Sequence, residues 1–239
     1  MKTLIFLIFF SINFNVHSQT AIINYQVIAN DKLLDIAKKA SNTKFEIDGV
    51  DNAISRLEYQ LEINKNTSYF YLLPSLDLED KKSKFAKIFA GSDKYFSNGN
   101  EIIKKTDYSG KTFNISLESN YDWKLSNETK MINNYLCYKA TLEAKNYKGA
   151  ISKVIAWYSP KIPFNFGPKG YSKLPGLILE LQDKLVTYLV SKVQLNNDIS
   201  NRVNLKKENI IQDDDVISED KFHEIIEKVK HNITQKHKD

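Results

Sequence analysis

Arg56-Leu57-Glu58-Tyr59-Gln60-Leu61-Glu62-Ile63-Asn64 alternates without a break. Leu57, Tyr59, Leu61 and Ile63 share one face; Arg56, Glu58, Gln60 and Glu62 share the other. A side-chain period of two marks a half-buried antiparallel strand, not an amphipathic helix. Asn64-Lys65-Asn66 is turn-forming, and residues 67–73 alternate again through Tyr69, Tyr71 and Leu73. Two such runs across a short polar turn predict a β-hairpin.

Outward from this hairpin the same pattern recurs. Strands are expected at 22–29, 94–97, 101–106, 112–117, 121–125, 134–145, 149–158, 177–182 and 185–195. Turn residues separate them, as at Ser97-Asn98-Gly99-Asn100, Ser109-Gly110, Ser119-Asn120, Asn146-Tyr147-Lys148 and Asp183-Lys184. Helical spacing occurs at 32–40 and 80–90. The run Asp213-Asp214-Asp215 reads as a solvated turn. Beyond it Ser218 is suited to cap a helix, with Glu219 and Asp220 in its first turn. Phe222, Ile225, Ile226, Val229 and Ile233 then repeat at helical spacing. The predicted fold class is α+β: a curved antiparallel β-sheet or half-barrel, built as a meander. Two or three helices accompany it, including a C-terminal amphipathic helix over 218–236.

The start of the chain has a different logic. Met1-Lys2-Thr3 precedes an unbroken apolar run over 4–10, and Val16-His17-Ser18-Gln19 follows after a polar return. This pattern predicts a secretory signal peptide over 1–18, cleaved after Ser18. The run is short for a membrane span, and no Cys lies near the cleavage point to carry a lipid. The expectation is a protein of the periplasm or the extracellular space, not a lipoprotein, with a single domain over 19–239. Removing 18 residues, Lys2 the only charged one among them, from 239 leaves 221 residues at a net charge of +4.

Composition excludes several classes. One Cys rules out an internal disulfide scaffold and a Cys-based zinc site. The net charge of +5 comes from 32 Lys against 2 Arg. Arg is the residue that reads phosphates and base edges bidentately, so a nucleic-acid partner is not expected. No segment after the leader suggests a membrane span.

Pro and Gly are scarce but pooled. Four of the five Pro and three of the eight Gly lie between Pro160 and Gly176. Pro fixes φ and restricts its predecessor, so this loop is expected to be stiff. Pro175-Gly176 is expected to form a type II turn into an apolar strand. The stretch Lys173-Leu174-Pro175-Gly176-Leu177-Ile178-Leu179-Glu180 resembles the signature of the GLPGLI family of secreted Bacteroidetes proteins. Asp122-Trp123-Lys124-Leu125, Glu128-Thr129-Lys130, Cys137-Tyr138-Lys139-Ala140, Trp157-Tyr158, Ile162-Pro163 and Gly167-Pro168 fall in the family's order. The resemblance covers 121–183 and marks Pro163, Gly167, Pro168, Leu174, Pro175, Gly176, Leu177, Ile178 and Cys137 as motif or structural positions. Lys173 departs from it, standing where the signature has its first Gly. If that position needs φ > 0, the chain is strained there or turns differently. The resemblance implies a class and a compartment but no activity.

The chemical candidates are few. Cys137 falls on a strand with Tyr135, Lys139, Thr141 and Glu143, opposite Leu136, Tyr138, Ala140, Leu142 and Ala144, and is expected to be less buried than a core Cys. A neighbouring Lys would lower its pKa. His223, His231 and His237 lack the i, i+4 spacing of a helical metal pair. Asp77, Glu79 and Asp80 lack the Gly and the terminal Glu of a calcium loop. No catalytic residue, metal or cofactor is expected.

Trp157, Tyr158, Phe164, Phe166 and Tyr171 remain. They either line the mouth of a ligand pocket or pack the loop onto the sheet. The reading is an exported cell-envelope binding or accessory protein, non-enzymatic, for an apolar ligand or a protein partner. By shape alone the layout resembles the half-barrels of periplasmic lipoprotein carriers. An enzyme of hydrolase type would instead gather perturbed groups near Glu180, Asp183, Asp122 or Lys139. A structural interaction module is the third alternative.

Overall fold

The structure, a computed structural model, describes residues 20–40, 49–75, 80–146, 149–195, 205, 210–211 and 216–236. The expected leader, Asp77, Glu79, Tyr147, Lys148, Asp213 to Asp215 and His237 lie outside the described residues.

Among the described residues twelve strands form one open sheet. They are β1 (Thr20–Ala29), β2 (Glu58–Asn64), β3 (Thr67–Leu72), β4 (Lys94–Ser97), β5 (Ile102–Tyr108), β6 (Lys111–Leu117), β7 (Lys124–Ile132), β8 (Tyr135–Lys145), β9 (Ile151–Ser159), β10 (Leu177–Asp183), β11 (Val186–Leu195) and β12 (Val216–Ser218). Their order is β12-β6-β5-β4-β3-β2-β1-β11-β10-β9-β8-β7. All neighbours are antiparallel except the short parallel pair β12–β6. The sheet is thus two meanders, β1 to β6 and β7 to β11, joined where β1 pairs with β11. The expected curved antiparallel meander is present as an open sheet, not a closed barrel.

The hairpin that opened the sequence is β2–β3, with Leu61 opposite Phe70 and Asn64 opposite Thr67. Its apolar face, Leu57, Tyr59, Leu61 and Ile63, is buried. The expected strands keep their ends within two residues, except at β7. Tyr121 and Trp123 precede β7 instead of starting it, and β7 runs on to Ile132.

Four α-helices are described: α1 (Asp31–Ala40), α2 (Val50–Ser55), α3 (Lys81–Ala90) and α4 (Glu219–Lys236). Asn30 caps α1, its Oδ1 accepting from the Leu33 amide at 3.1 Å. Asp80 caps α3, accepting from the Ser83 amide at 2.8 Å. These bonds hold its carboxyl at about 2, with the Arg56 guanidinium adding to them. Ser218 caps α4 through the Lys221 amide, as its sequence suggests. Phe222 seats α4 against Phe113 and Tyr108, with ring centroids 5.2 and 6.2 Å away.

The inner face of the sheet carries one continuous apolar core. An aromatic cluster fills its β1–β3 and β11 side. Tyr59 stacks on Phe70 at 5.3 Å, and Tyr188 meets both rings edge-on. The hydroxyls of Tyr59 and Tyr188 donate to the carbonyls of Gly91 and Ala90, which ties the end of α3 to the sheet.

Candidate functional site

The stiff loop over 160–176 does not form a mouth. It lies across the inner face and fills it. Ile162, Phe164, Phe166 and Leu174 are all buried. The Tyr25 hydroxyl donates to the Ile178 carbonyl at 2.7 Å, where the loop re-enters the sheet. Pro168–Gly170 forms a short 3-10 turn that reaches β4 and β5. A Cβ on Gly170 would come within 2.8 Å of the Ile102 side chain.

The expected type II turn is absent. The Leu177 amide donates to the Ile162 carbonyl, and the Gly176 amide reaches back to Leu174. Gly176 has φ 153, and a Cβ there would overlap the Ser159 carbonyl. The turn is therefore dictated by close backbone approach between the loop's two ends. Lys173 has φ 69, so this chain holds a non-Gly residue in the left-handed region at the departing position.

Lys169 anchors the loop. Its ammonium pairs with the carboxylate of Asp183, which is 4% exposed. Burial alone would lower the Lys169 pKa. The Asp183 carboxylate, with Tyr95 beside it, outweighs that and drives it upward. Lys169 therefore stays charged at any ordinary pH.

The five aromatic candidates separate. Tyr158, Phe164 and Phe166 are buried, so for these three the packing alternative holds and they line no pocket mouth. Trp157 points to the outer face, under Lys130 at 4.4 Å and near Lys139 at 5.8 Å. There Lys130 pairs with Glu180 at 2.6 Å and Lys139 with Glu128 at 2.9 Å. Only Tyr171 faces an opening. Glu180 and Lys139 thus lie on the opposite side of the sheet from Asp183, while Asp122 is exposed.

Cys137 is also corrected. It is fully buried and Leu136 is 37% exposed, so the expected faces are exchanged at this end of β8. Burial raises the thiol to about 11, against a smaller lowering by Lys130. It is not an activated thiol. Among the described residues no group of His, Cys, Asp and Glu could hold a metal. No described helix is long and apolar enough to cross a membrane.

The opening that Tyr171 faces is a cleft of about 420 Å³. Tyr95 of β4, Lys104 of β5 and Leu117 of β6 form one wall, and Leu142 to Lys145 of β8 form the other. These strands lie near opposite ends of the strand order. The sheet therefore curls until its two flanks face each other, and the cleft is the seam between them. Register shifts at Asn24/Tyr25, Ile178/Glu180 and Leu125/Thr129 assist the curl. Lys169 and Tyr171 form the floor. Tyr121 and Trp123 clamp that floor. The Trp123 indole donates to the Ser172 carbonyl at 2.9 Å, and Tyr121 packs on Tyr171 with ring centroids 5.3 Å apart. Sequence reasoning missed Tyr95, Lys145 and Lys184, because no motif links residues drawn from three separate elements.

A family model described as "Protein of unknown function (Porph_ging)" matches residues 145–180. That span holds β9, the loop and the first half of β10. Comparison with curated proteins gave no match. Among solved structures, one of PNGF-II is similar with a TM-score of 0.51 and 14% identity, over 84% of this chain and 31% of that one. A second PNGF-II structure gives 0.49 at 14% identity with the same coverage. A LolA superfamily protein from Nitrosomonas europaea gives 0.28 at 10% identity, over 81% of this chain and 92% of that one. The first likeness shows a shared fold. The chain spans about a third of the length of PNGF-II.

Proposed function

We propose that the chain is an exported GLPGLI-type protein that acts as a non-enzymatic binding or accessory protein, with the seam cleft as its binding place. The seam cleft carries this reading. At about 420 Å³ it has the size of a small-molecule site, and a braced loop holds its floor. An apolar ligand on the inner face is disfavoured by energy. Displacing Ile162, Phe164, Phe166 and Leu174 would forfeit roughly 6–12 kcal/mol of burial. That is as large as the whole stability of a typical domain.

The titrating groups favour binding over catalysis. Burial raises Tyr95, Tyr121 and Tyr171, and Lys169 is raised as well. These shifts run away from neutrality, whereas a general acid or base is tuned toward it. The export part of the proposal rests on the sequence of residues 1–18 and predicts Gln19 as the first residue of the mature chain.

The test is native mass spectrometry of the chain purified from its own envelope, beside a Tyr171→Ala variant. The expected result is added mass on the wild type that the variant lacks. Absence of added mass and of any co-purifying partner across conditions would overturn the reading.

A further inference from the structure

The charges of the seam cleft are divided between its walls. On the β8 wall, Glu143 is met by Lys124 at 4.0 Å, whereas Lys145 has no acidic partner among the described residues. Lys184, from the β10–β11 turn on the same side, has none either. On the β6 wall, Lys104 is met by Asp93 at 3.9 Å. Glu118 there has no basic partner among the described residues, and Glu219 faces the imidazole of His223 at 3.7 Å. Two ammonium groups without an acidic partner among the described residues thus line one side of the seam, and the carboxylates of Glu118 and Glu219 line the other, all at its exposed rim.

The floor and back add hydrogen-bond donors. Tyr95 is 8% exposed and lines the cleft, yet its hydroxyl has no partner among the described residues. The Tyr171 hydroxyl has none either. Elsewhere in the core Tyr25, Tyr59 and Tyr188 each donate to a backbone carbonyl. Neither the Tyr95 nor the Tyr171 hydroxyl is among the buried polar atoms that lack a partner, so both reach the open cleft, where a ligand acceptor can take the place of water.

We infer that the seam cleft takes a zwitterion, a free amino acid or a short peptide. Its carboxylate would lie toward Lys145 and Lys184, its ammonium toward Glu118 and Glu219, and its side chain against Tyr121 and Tyr171. This rests on the binding reading above and specifies its ligand. Charge-assisted bonds at both ends would fix the orientation of the ligand, and mismatched charge would be rejected.

Titration calorimetry on the purified chain tests it with four probes: L-phenylalanine, glycyl-phenylalanine, N-acetyl-phenylalanine and phenylalaninamide. The first two are expected to bind, and whichever is tighter separates the amino-acid source from the peptide source. The blocked probes each lack one charge and are expected to bind at least tenfold more weakly. Lys145→Gln/Lys184→Gln should weaken phenylalanine at least tenfold while leaving phenylalaninamide unchanged. Tyr95→Phe should weaken it several-fold with an unchanged melting temperature. Equal binding of the blocked probes, or no binding by any probe, overturns the proposal. A neutral or purely apolar ligand recovered from the native protein and lost in Tyr171→Ala would overturn it as well, while leaving the binding reading standing.

Discussion

The curled sheet makes two hollows, and the chain treats them in opposite ways. The inner face is filled by the loop over 160–176, with Phe166 only 2% exposed. The seam is left open, and Tyr95 keeps an unused hydroxyl there. The recognisable residues belong to the filled hollow. Gly176 and Gly170 leave no room for a Cβ, Leu174 is buried, and Pro175 sits in the turn between them. The motif is therefore a strap that completes the core. The residues best placed to bind anything lie in sequence without distinction, and a search centred on the motif passes over them.

The comparison breaks most severely at Gly176. A Cβ there meets the Ser159 carbonyl and comes within 2.7 Å of the Pro160 nitrogen. Both are backbone atoms that cannot swing aside. Gly176→Ala should cost more than about 4 kcal/mol in urea unfolding, at the extreme of single substitutions. A cost below about 1 kcal/mol would mean that the strap is not held by this approach.

Next comes the anchor. Lys169→Met removes one partner of a buried ion pair and strands the Asp183 carboxylate. That should cost about 3 kcal/mol. The double variant Lys169→Met/Asp183→Leu removes both charges and should recover most of the loss. If the double variant is as unstable as the single one, the loop is anchored by packing and the pair is incidental.

These two sites show what was legible. The β2–β3 hairpin could be read because one of its faces is buried and the other wet, which imprints a period of two. Residues 126–132 of β7 carry no such imprint. β7 lies at the sheet edge with most of its residues exposed on both sides, so nothing selects alternation. The β1–β11 pairing was unreadable for another reason. Both strands show apolar faces, but register between distant strands is set by the whole core and not by local sequence. Cys137 was misplaced because alternation was extended through the end of β8, where Cys137 is buried and Leu136 exposed. Lys173 was the most informative departure. Its sequence anomaly has a physical counterpart at φ 69.

Cys137 supplies a pH test that belongs to neither hollow. With its thiol at about 11, only a small thiolate fraction exists at pH 8. Alkylation by iodoacetamide should therefore be roughly a hundredfold slower than for a free cysteine near 8.5, and should accelerate as pH rises toward 11. Rapid labelling at pH 8 would show that the end of β8 opens readily.

A smaller effect sharpens the strap. Lys173 is an exposed L-residue in the left-handed region, at a cost of about 1–2 kcal/mol. Lys173→Gly relieves that cost but gives the unfolded chain more freedom, worth about 0.4–1 kcal/mol in the other direction. The net expectation is a gain of roughly 0.5–1 kcal/mol, visible as a melting temperature a few degrees higher. Destabilisation instead would mean that the Lys173 side chain, and not only its backbone, supports the loop.

The smallest expected effect on stability separates the two hollows most cleanly. Tyr171 belongs to both, since its backbone lies in the strap and its ring forms the floor of the seam. Its hydroxyl has no partner among the described residues, so Tyr171→Phe removes no hydrogen bond from the fold. The ring contacts with Tyr121 and Trp123, at 5.3 and 6.0 Å, are kept. Stability should change by less than about 0.5 kcal/mol. Phenylalanine binding in the seam should fall several-fold, because a donor that the ligand would use is gone. If stability falls with binding, the hydroxyl serves the strap after all and the two hollows are one structural unit. If neither changes, the ring lines the cleft without the phenol taking part in recognition.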